Sequence, residues 1–185
     1  MEWIQNMDVS ILLFIQEHIR NPLFDGFWKA VTFLGEGGWF WIALAAVLII
    51  PKKTRKAGIT ALLSMGIGAL LTNVCLKNLV ARPRPYDAFP QIVPLVAKLS
   101  DYSFPSGHTC ASFACAFILW RELPGKYGVP ALLLATLIAL SRLYVGVHYP
   151  TDVLGGLLIA WLSSLLSALL VSKWTKSREI RNSKI

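Results

Sequence analysis

Charge is scarce in this chain: 15% of its 185 residues are charged, with ten Asp and Glu against 18 Lys and Arg. A soluble domain carries about 25% charged residues, so a water-exposed globule is excluded. Cysteine is also scarce and odd in number at three. Cys75, Cys110 and Cys115 all lie in or beside apolar stretches, which excludes a disulfide framework and leaves small buried thiols. No basic stripe exists outside short loops, so nucleic acid is not expected as a partner.

Apolar residues fill the space that charge leaves. They make up 55% of the chain, and the mean hydropathy is +0.57. Residues 57–76, 102–120, 128–147 and 153–172 are almost free of charge. Each is long enough to cross a hydrocarbon layer ~30 Å thick as a helix. Residues 39–50 are too few alone and span only if the helix extends back through 31–38, accepting Glu36. The fold expected is an all-α, polytopic membrane helix bundle of about five transmembrane helices.

Residues 1–20 repeat apolar groups at helical spacing (Trp3, Ile4, Met7, Ile11, Leu12, Ile15, Ile19), with Glu2, Asp8, Glu17 and Arg20 on a polar face. Asn21-Pro22 breaks this helix, and Phe24, Phe27, Trp28 and Val31 suggest a second short one. The periodicity and aromatics predict helices lying in the membrane interface. The chain then reads as a single domain, 1–185. Residues 1–35 would be amphipathic and interfacial, 36–173 the transmembrane catalytic core, and 174–185 a basic cytoplasmic tail.

The basic residues carry topology. Lys52, Lys53, Arg55 and Lys56 follow the first span, Arg121 and Lys126 lie between the third and fourth, and Lys173, Lys176, Arg178, Arg181 and Lys184 follow the fifth. Alternating spans put all three clusters on one side, which the positive-inside rule makes the cytoplasm. Parity then places Lys77, His108, Arg142, His148 and Asp152 together at the opposite, extracytoplasmic face.

Ionisable groups at the ends of membrane spans are costly, and their presence marks a site. In Arg82-Pro83-Arg84-Pro85 each proline holds the preceding arginine in extended backbone, out of a helix. With Lys77 and Arg142, Arg84 would form a cationic cradle suited to phosphate. Pro105-Ser106-Gly107-His108 opens a helix whose free N–H groups favour an anion. There Gly107 would admit close approach and the Ser106 hydroxyl would add a donor. His148 and Asp152, four apart, face the same way, so the carboxylate can hold one ring nitrogen and leave the other as nucleophile. No metal and no cofactor are expected, because cations around so few ligands would repel a divalent ion.

Lys77…Arg84-Pro85, then Pro105-Ser106-Gly107-His108, then Ser141-Arg142…His148…Asp152 resembles the three-part signature of the type 2 phosphatidic acid phosphatase superfamily. The resemblance implies a helical membrane core and metal-independent hydrolysis through a phosphohistidine. It also implies His148 as nucleophile, Asp152 as its orienting carboxylate, and His108 as the acid for the leaving group. Lys77, Arg84, Ser106, Gly107 and Arg142 resemble the phosphate binders. Many integral members have six spans, one more than the five counted here. The family includes soluble vanadate-dependent haloperoxidases, which this hydropathy disfavours. The expected substrate is a membrane lipid phosphate or diphosphate, with undecaprenyl diphosphate preferred by analogy. Phosphatidylglycerophosphate and phosphatidic acid are the alternatives. A non-catalytic carrier of anionic lipid or phosphate is the reading of another class, and it has no use for an oriented imidazole. The expected location is a cell (inner or plasma) membrane, crossed several times.

Overall fold

The computed structural model describes residues 2–182, and side chains up to Ser177. Lys184 of the basic tail lies outside the described residues, as do the side chains of Arg178 and Arg181. Helices run in the order α1 (Glu2–Phe14), α2 (Pro22–Leu34), α3 (Trp39–Ile49), α4 (Arg55–Ala69), α5 (Lys77–Val80), α6 (Pro85–Ala88), α7 (Gly107–Glu122), α8 (Gly125–Tyr144) and α9 (Pro150–Asn182). No strand occurs among the described residues, so the expected all-α bundle is what forms. A wide π-helical turn, Leu70–Leu76, joins α4 to α5 into one long rod.

The central element is α7, packed against α4, α8 and α9. Its inner faces carry Cys110, Ala114, Cys115, Ala116 and Ile118, all buried. The small residues let the helix axes approach closely. Within this core Trp41 of α3 donates its indole N–H to Ser112 Oγ at 2.9 Å. Large apolar side chains such as Leu133, Leu140, Leu158, Trp161 and Leu169 point outward instead, the pattern of a bundle dissolved in lipid. Cys75 is exposed, Cys110 and Cys115 are buried, and all are free thiols.

By length and composition three segments can cross a membrane: the α4–α6 stretch Arg55–Ala88, α8, and Pro150–Ser177 of α9. The pair α2 and α3 passes the same test together, but is bent by 45°. The first expected span is therefore not one continuous helix from residue 31. Gly37 and Gly38 take φ of +56° and +71°, a region open to glycine at little cost, and the chain bends there. The third expected span also shortens. Ser106 caps α7, which opens at the expected Pro105–His108 string and has 16 residues, shorter than the 102–120 apolar run.

The N-terminal helix departs most from its periodicity. Asp8, assigned above to a polar outer face, is fully buried with Val9 and Leu12, while Trp3, Met7, Ile11 and Phe14 are exposed. In a lipid-facing bundle the outer surface is apolar, so an apolar stripe need not point inward. Arg20, in the break after α1, donates to the Tyr144 carbonyl (2.7 Å) and the Val93 carbonyl (2.5 Å). These bonds fasten the N-terminal region to the end of α8 and to the loop between α6 and α7.

One end of the bundle is basic. Lys56 at the start of α4 pairs with Glu122 at the end of α7 at 3.1 Å, so the α3–α4 and α7–α8 turns meet there. The polar strings gather at the other end.

Candidate active site

A cavity of about 560 Å³ opens at that second end. Lys77, Arg84, Gly107, His108, Arg142 and His148 line it. They arrive on five pieces of chain: the α4–α5 rod, the proline-held loop, the start of α7 (Gly107 and His108), the last turn of α8, and the turn before α9. Convergence of these positions is what helix parity demands.

His148 is 1% exposed, and its two ring nitrogens have different neighbours. Nδ1 lies 3.3 Å from Asp152 Oδ2, an atom that can only accept, so Nδ1 carries the proton. Nε2 lies 3.3 Å from Arg84 Nη1, which can only donate, so Nε2 keeps its lone pair. The tautomer is thus set from both sides. Burial lowers the His148 pKa to about 4, against the opposing pull of Asp152 and with added repulsion from Arg84 and Arg142. The ring is neutral at neutral pH.

Asp152 is held by more than His148. Its Oδ2 accepts from Ser103 Oγ (2.5 Å) and the Tyr149 N–H (2.9 Å), and Oδ1 accepts from Arg82 Nη1 (2.7 Å). A carboxylate with so many donors stays ionised and acts as a fixed anchor. Pro150 starts α9, suiting its fixed φ, and places Asp152 in the first turn. The helix is drawn close because Gly156 has no side chain: a Cβ there would lie 2.6 Å from the Ser106 carbonyl oxygen.

His108 faces the cavity from the first turn of α7. Its ring is seated against Gly35, where a Cβ would come within 2.8 Å of His108 Cδ2. Ser106 is fully buried. Its hydroxyl oxygen caps α7, accepting from the Thr109 N–H (3.4 Å) and from Thr109 Oγ1 (3.0 Å). Arg142 is 3% exposed and donates from Nη1 to Thr32 Oγ1 of α2 at 2.5 Å. Its Nε has no hydrogen-bond partner among the described residues, a buried cationic donor beside the cavity.

Three features escaped the sequence. Asp101 pairs with Lys77 and, at 2.5 Å, with Arg84 Nη2. Burial would raise its carboxyl, but the two cations outweigh this and hold it at about 2. Arg82, one of the two arginines aimed by proline, reaches Asp152 instead of lining the cavity. The glycines differ as well: Gly155 and Gly156 lie packed against Phe104 and Ser106, whereas a Cβ on Gly66 would meet nothing within 4 Å, and Gly66 lines the cavity. The cavity continues from the cations between α3 and α4 along Ile42, Leu62, Met65 and Ala69.

The sequence profile of the PAP2 superfamily matches residues 57–176. An undecaprenyl-diphosphatase of Sulfolobus acidocaldarius is 38% identical over 73% of this chain and 66% of its own length. A decaprenylphosphoryl-5-phosphoribose phosphatase of Mycolicibacterium smegmatis is 41% identical over 69% of this chain and 68% of its own. The matched region thus spans about two thirds of these relatives. The crystal structure of a transmembrane PAP2-type phosphatidylglycerolphosphate phosphatase from Bacillus subtilis superposes with a TM-score of 0.75. It shares 31% identity and covers 94% of this chain and 88% of its own.

Proposed function

The chain belongs to the PAP2 superfamily and is a multi-pass membrane protein, and on that premise we propose that it hydrolyses a polyprenyl phosphate or diphosphate through a phosphohistidine. The observation that carries this reading is the two-sided fixing of His148, with Asp152 on Nδ1 and the lone pair of Nε2 turned to the cations.

The reaction follows from these positions. Lys77, Arg84 and Arg142 bind the phosphoryl oxygens, and the free Arg142 Nε–H supplies one further donor. Nε2 attacks phosphorus, so an N–P bond forms as the P–O bond to the lipid breaks. Positive charge develops on the imidazole and is stabilised by Asp152. His108 gives its proton to the departing oxygen. It then takes one from a water that cleaves the N–P bond, releasing phosphate and restoring His148. The donor set supports metal independence: among the described residues no three His, Cys, Asp or Glu side chains cluster as ligands, and three cations surround the cavity.

A tail follows from the cavity's shape. The cation end is polar, and the continuation past Leu62, Met65 and Ala69 is apolar, so a lipid can place its headgroup and first methylenes together. The two curated relatives above are named for polyprenyl-borne phosphates and the Bacillus subtilis structure for phosphatidylglycerolphosphate; the polyprenyl chain is preferred by analogy with the first two. With the basic end cytoplasmic, the site opens at the extracytoplasmic face of a cell membrane. The chain acts as one catalytic domain, because Asp8 and Thr32 of the N-terminal helices touch groups that hold the site.

Phosphate release from undecaprenyl diphosphate, phosphatidylglycerophosphate and phosphatidic acid, with purified protein in detergent, tests this. The wild type should release phosphate with EDTA present, fastest from the polyprenyl substrate, and orthovanadate should block it. His148→Ala should be inert though folded. Residual turnover above a few per cent in that variant, or loss on chelation restored by Mg²⁺, would refute the mechanism.

A further inference from the structure

Asp8 is a carboxylate at 0% exposure in a helix that leaves Trp3, Met7, Ile11 and Phe14 exposed, outside the residues the family profile matches. Burying a carboxylate is costly unless it is paired and hydrogen-bonded, and its partners define what it does. Oδ2 accepts from Arg82 Nη2 at 2.8 Å and from Thr151 Oγ1, and Oδ1 accepts from the Thr151 N–H at 3.1 Å. Thr151 is in the first turn of α9, so Asp8 caps from another helix the turn that carries Asp152. The other arm of the same guanidinium, Arg82 Nη1, donates to Asp152 Oδ1 at 2.7 Å and to Thr151 Oγ1 at 2.7 Å. Its plane is steadied over the Tyr149 ring, 3.8 Å from the centroid.

We propose that Asp8 is a positioning residue, which through Arg82 and Thr151 fixes Asp152 and sets the negative charge that Asp152 presents to His148. The proposal rests on the phosphohistidine reading above. With Asp8 in place, Asp8, Arg82 and Asp152 together carry one net negative charge. Without it, Arg82 neutralises Asp152 alone. The imidazole then loses the field that favours its cationic form, including the charge that develops as the N–P bond forms.

The remaining groups around His148 are Arg84 and Asp101 from the loop, Lys77 from α5, Arg142 from α8 and His108 from α7. None of them is bonded to Asp8, so the bonded route from Asp8 to His148 runs through Arg82, Thr151 and Asp152. Asp8 and Arg82 on that route have opposite signs. Asp8→Asn should move the acid limb of kcat/KM to lower pH, and Arg82→Gln should move it to higher pH.

The test is a pH profile, with melting curves, of wild type, Asp8→Asn, Arg82→Gln and Thr151→Val on one lipid phosphate. Outer hydrogen-bond partners of metal-bound histidines cost about 10–100-fold when lost, and the same order is expected for a histidine held by Asp152. Asp8→Asn should therefore lose about that much kcat, with KM little changed and its acid limb displaced downward. Thr151→Val, which removes a hydroxyl and no charge, should lower Tm and leave the limb in place. If Asp8→Asn is too unstable to assay, the upward shift in Arg82→Gln decides. An active wild type whose Asp8→Asn and Arg82→Gln variants keep its pH limb overturns the inference alone. A wild type inert towards every lipid phosphate overturns the reading of function, and this inference with it.

Discussion

Gly156→Ala should damage catalysis from outside the cavity, at a position that bears no chemistry. The added Cβ would lie 2.6 Å from the Ser106 carbonyl oxygen, 3.1 Å from Thr109 Cβ and 3.4 Å from the Cys110 nitrogen. Ordinary contact begins at 3.4 Å, so the first distance is about 0.8 Å short, and its partner is backbone that cannot rotate away. The start of α9 must therefore move off the start of α7. That is the same joint where the Ser106 N–H donates to the Asp152 carbonyl at 3.0 Å. Overpacking of this kind costs about 1–3 kcal/mol, which corresponds to roughly 2–4 °C of Tm per kcal/mol for a chain of this size. The functional loss should be larger, because a displacement near 1 Å between catalytic groups can cost about 10²-fold in rate. Gly66→Ala is the matched control, since its Cβ meets nothing within 4 Å. The assay is kcat on p-nitrophenyl phosphate, which has no tail to sense the groove, with melting in the same detergent. Equal kcat in the two variants would refute the idea that the α7–α9 joint sets the geometry of Asp152 and His148.

Three further outcomes are expected. The acid limb of kcat/KM should fall near pH 4 rather than near the ordinary imidazole value of about 6.5, because the proposed nucleophile is neutral His148. By linkage, a folded pKa below the unfolded one makes the stabilisation complete above about 6.5 and lost as pH falls towards 4, with Asp101 adding a further loss towards 2; a limb at 6.5 would show a solvated ring. His108→Ala should slow phosphoenzyme formation far more on an alkyl monophosphate than on p-nitrophenyl phosphate, since general-acid help of about 10²–10⁴-fold matters most for a basic leaving group; equal losses in a quench-flow burst would make His108 a phosphate binder only. Single cysteines in a cysteine-free background should label from outside in the 86–98 loop and only after permeabilisation at Lys53 or Ser177, and the reverse pattern would move the site to the cytoplasm.

The cradle was legible in the sequence because ionisable residues in apolar runs are few and helix parity sorts them by end. Lys77, Arg84, His108, Arg142 and His148 line one cavity for that reason. Asp101 was not legible, since it closes a proline-rich loop with no period to say where its side chain turns. Asp8 was hidden by an assumption that holds in water: an apolar stripe marks the inner face. In lipid the stripe on α1 faces out, and its acid faces in. The bend between α2 and α3 depends on positive φ at Gly37 and Gly38, which the sequence permits but does not require.

Asp101 makes the cradle an ion exchanger with its counterion attached. Lys77 and Arg84 are already neutralised in part by a carboxylate of the same chain, so an incoming phosphate gains only the difference between two anions. A tethered competitor acts as if at millimolar concentration, on the order of that for short linkers. Under the proposed hydrolysis, free phosphate below that level would be displaced as the carboxylate returns, and turnover would not stall on its own product. A lipid phosphate, the substrate proposed, would overcome the same competitor because its tail would confine it to the plane of the bilayer beside the groove. Selectivity for membrane-borne phosphates over dissolved ones then needs no gate, only an acid of the protein's own that dissolved anions are too dilute to replace.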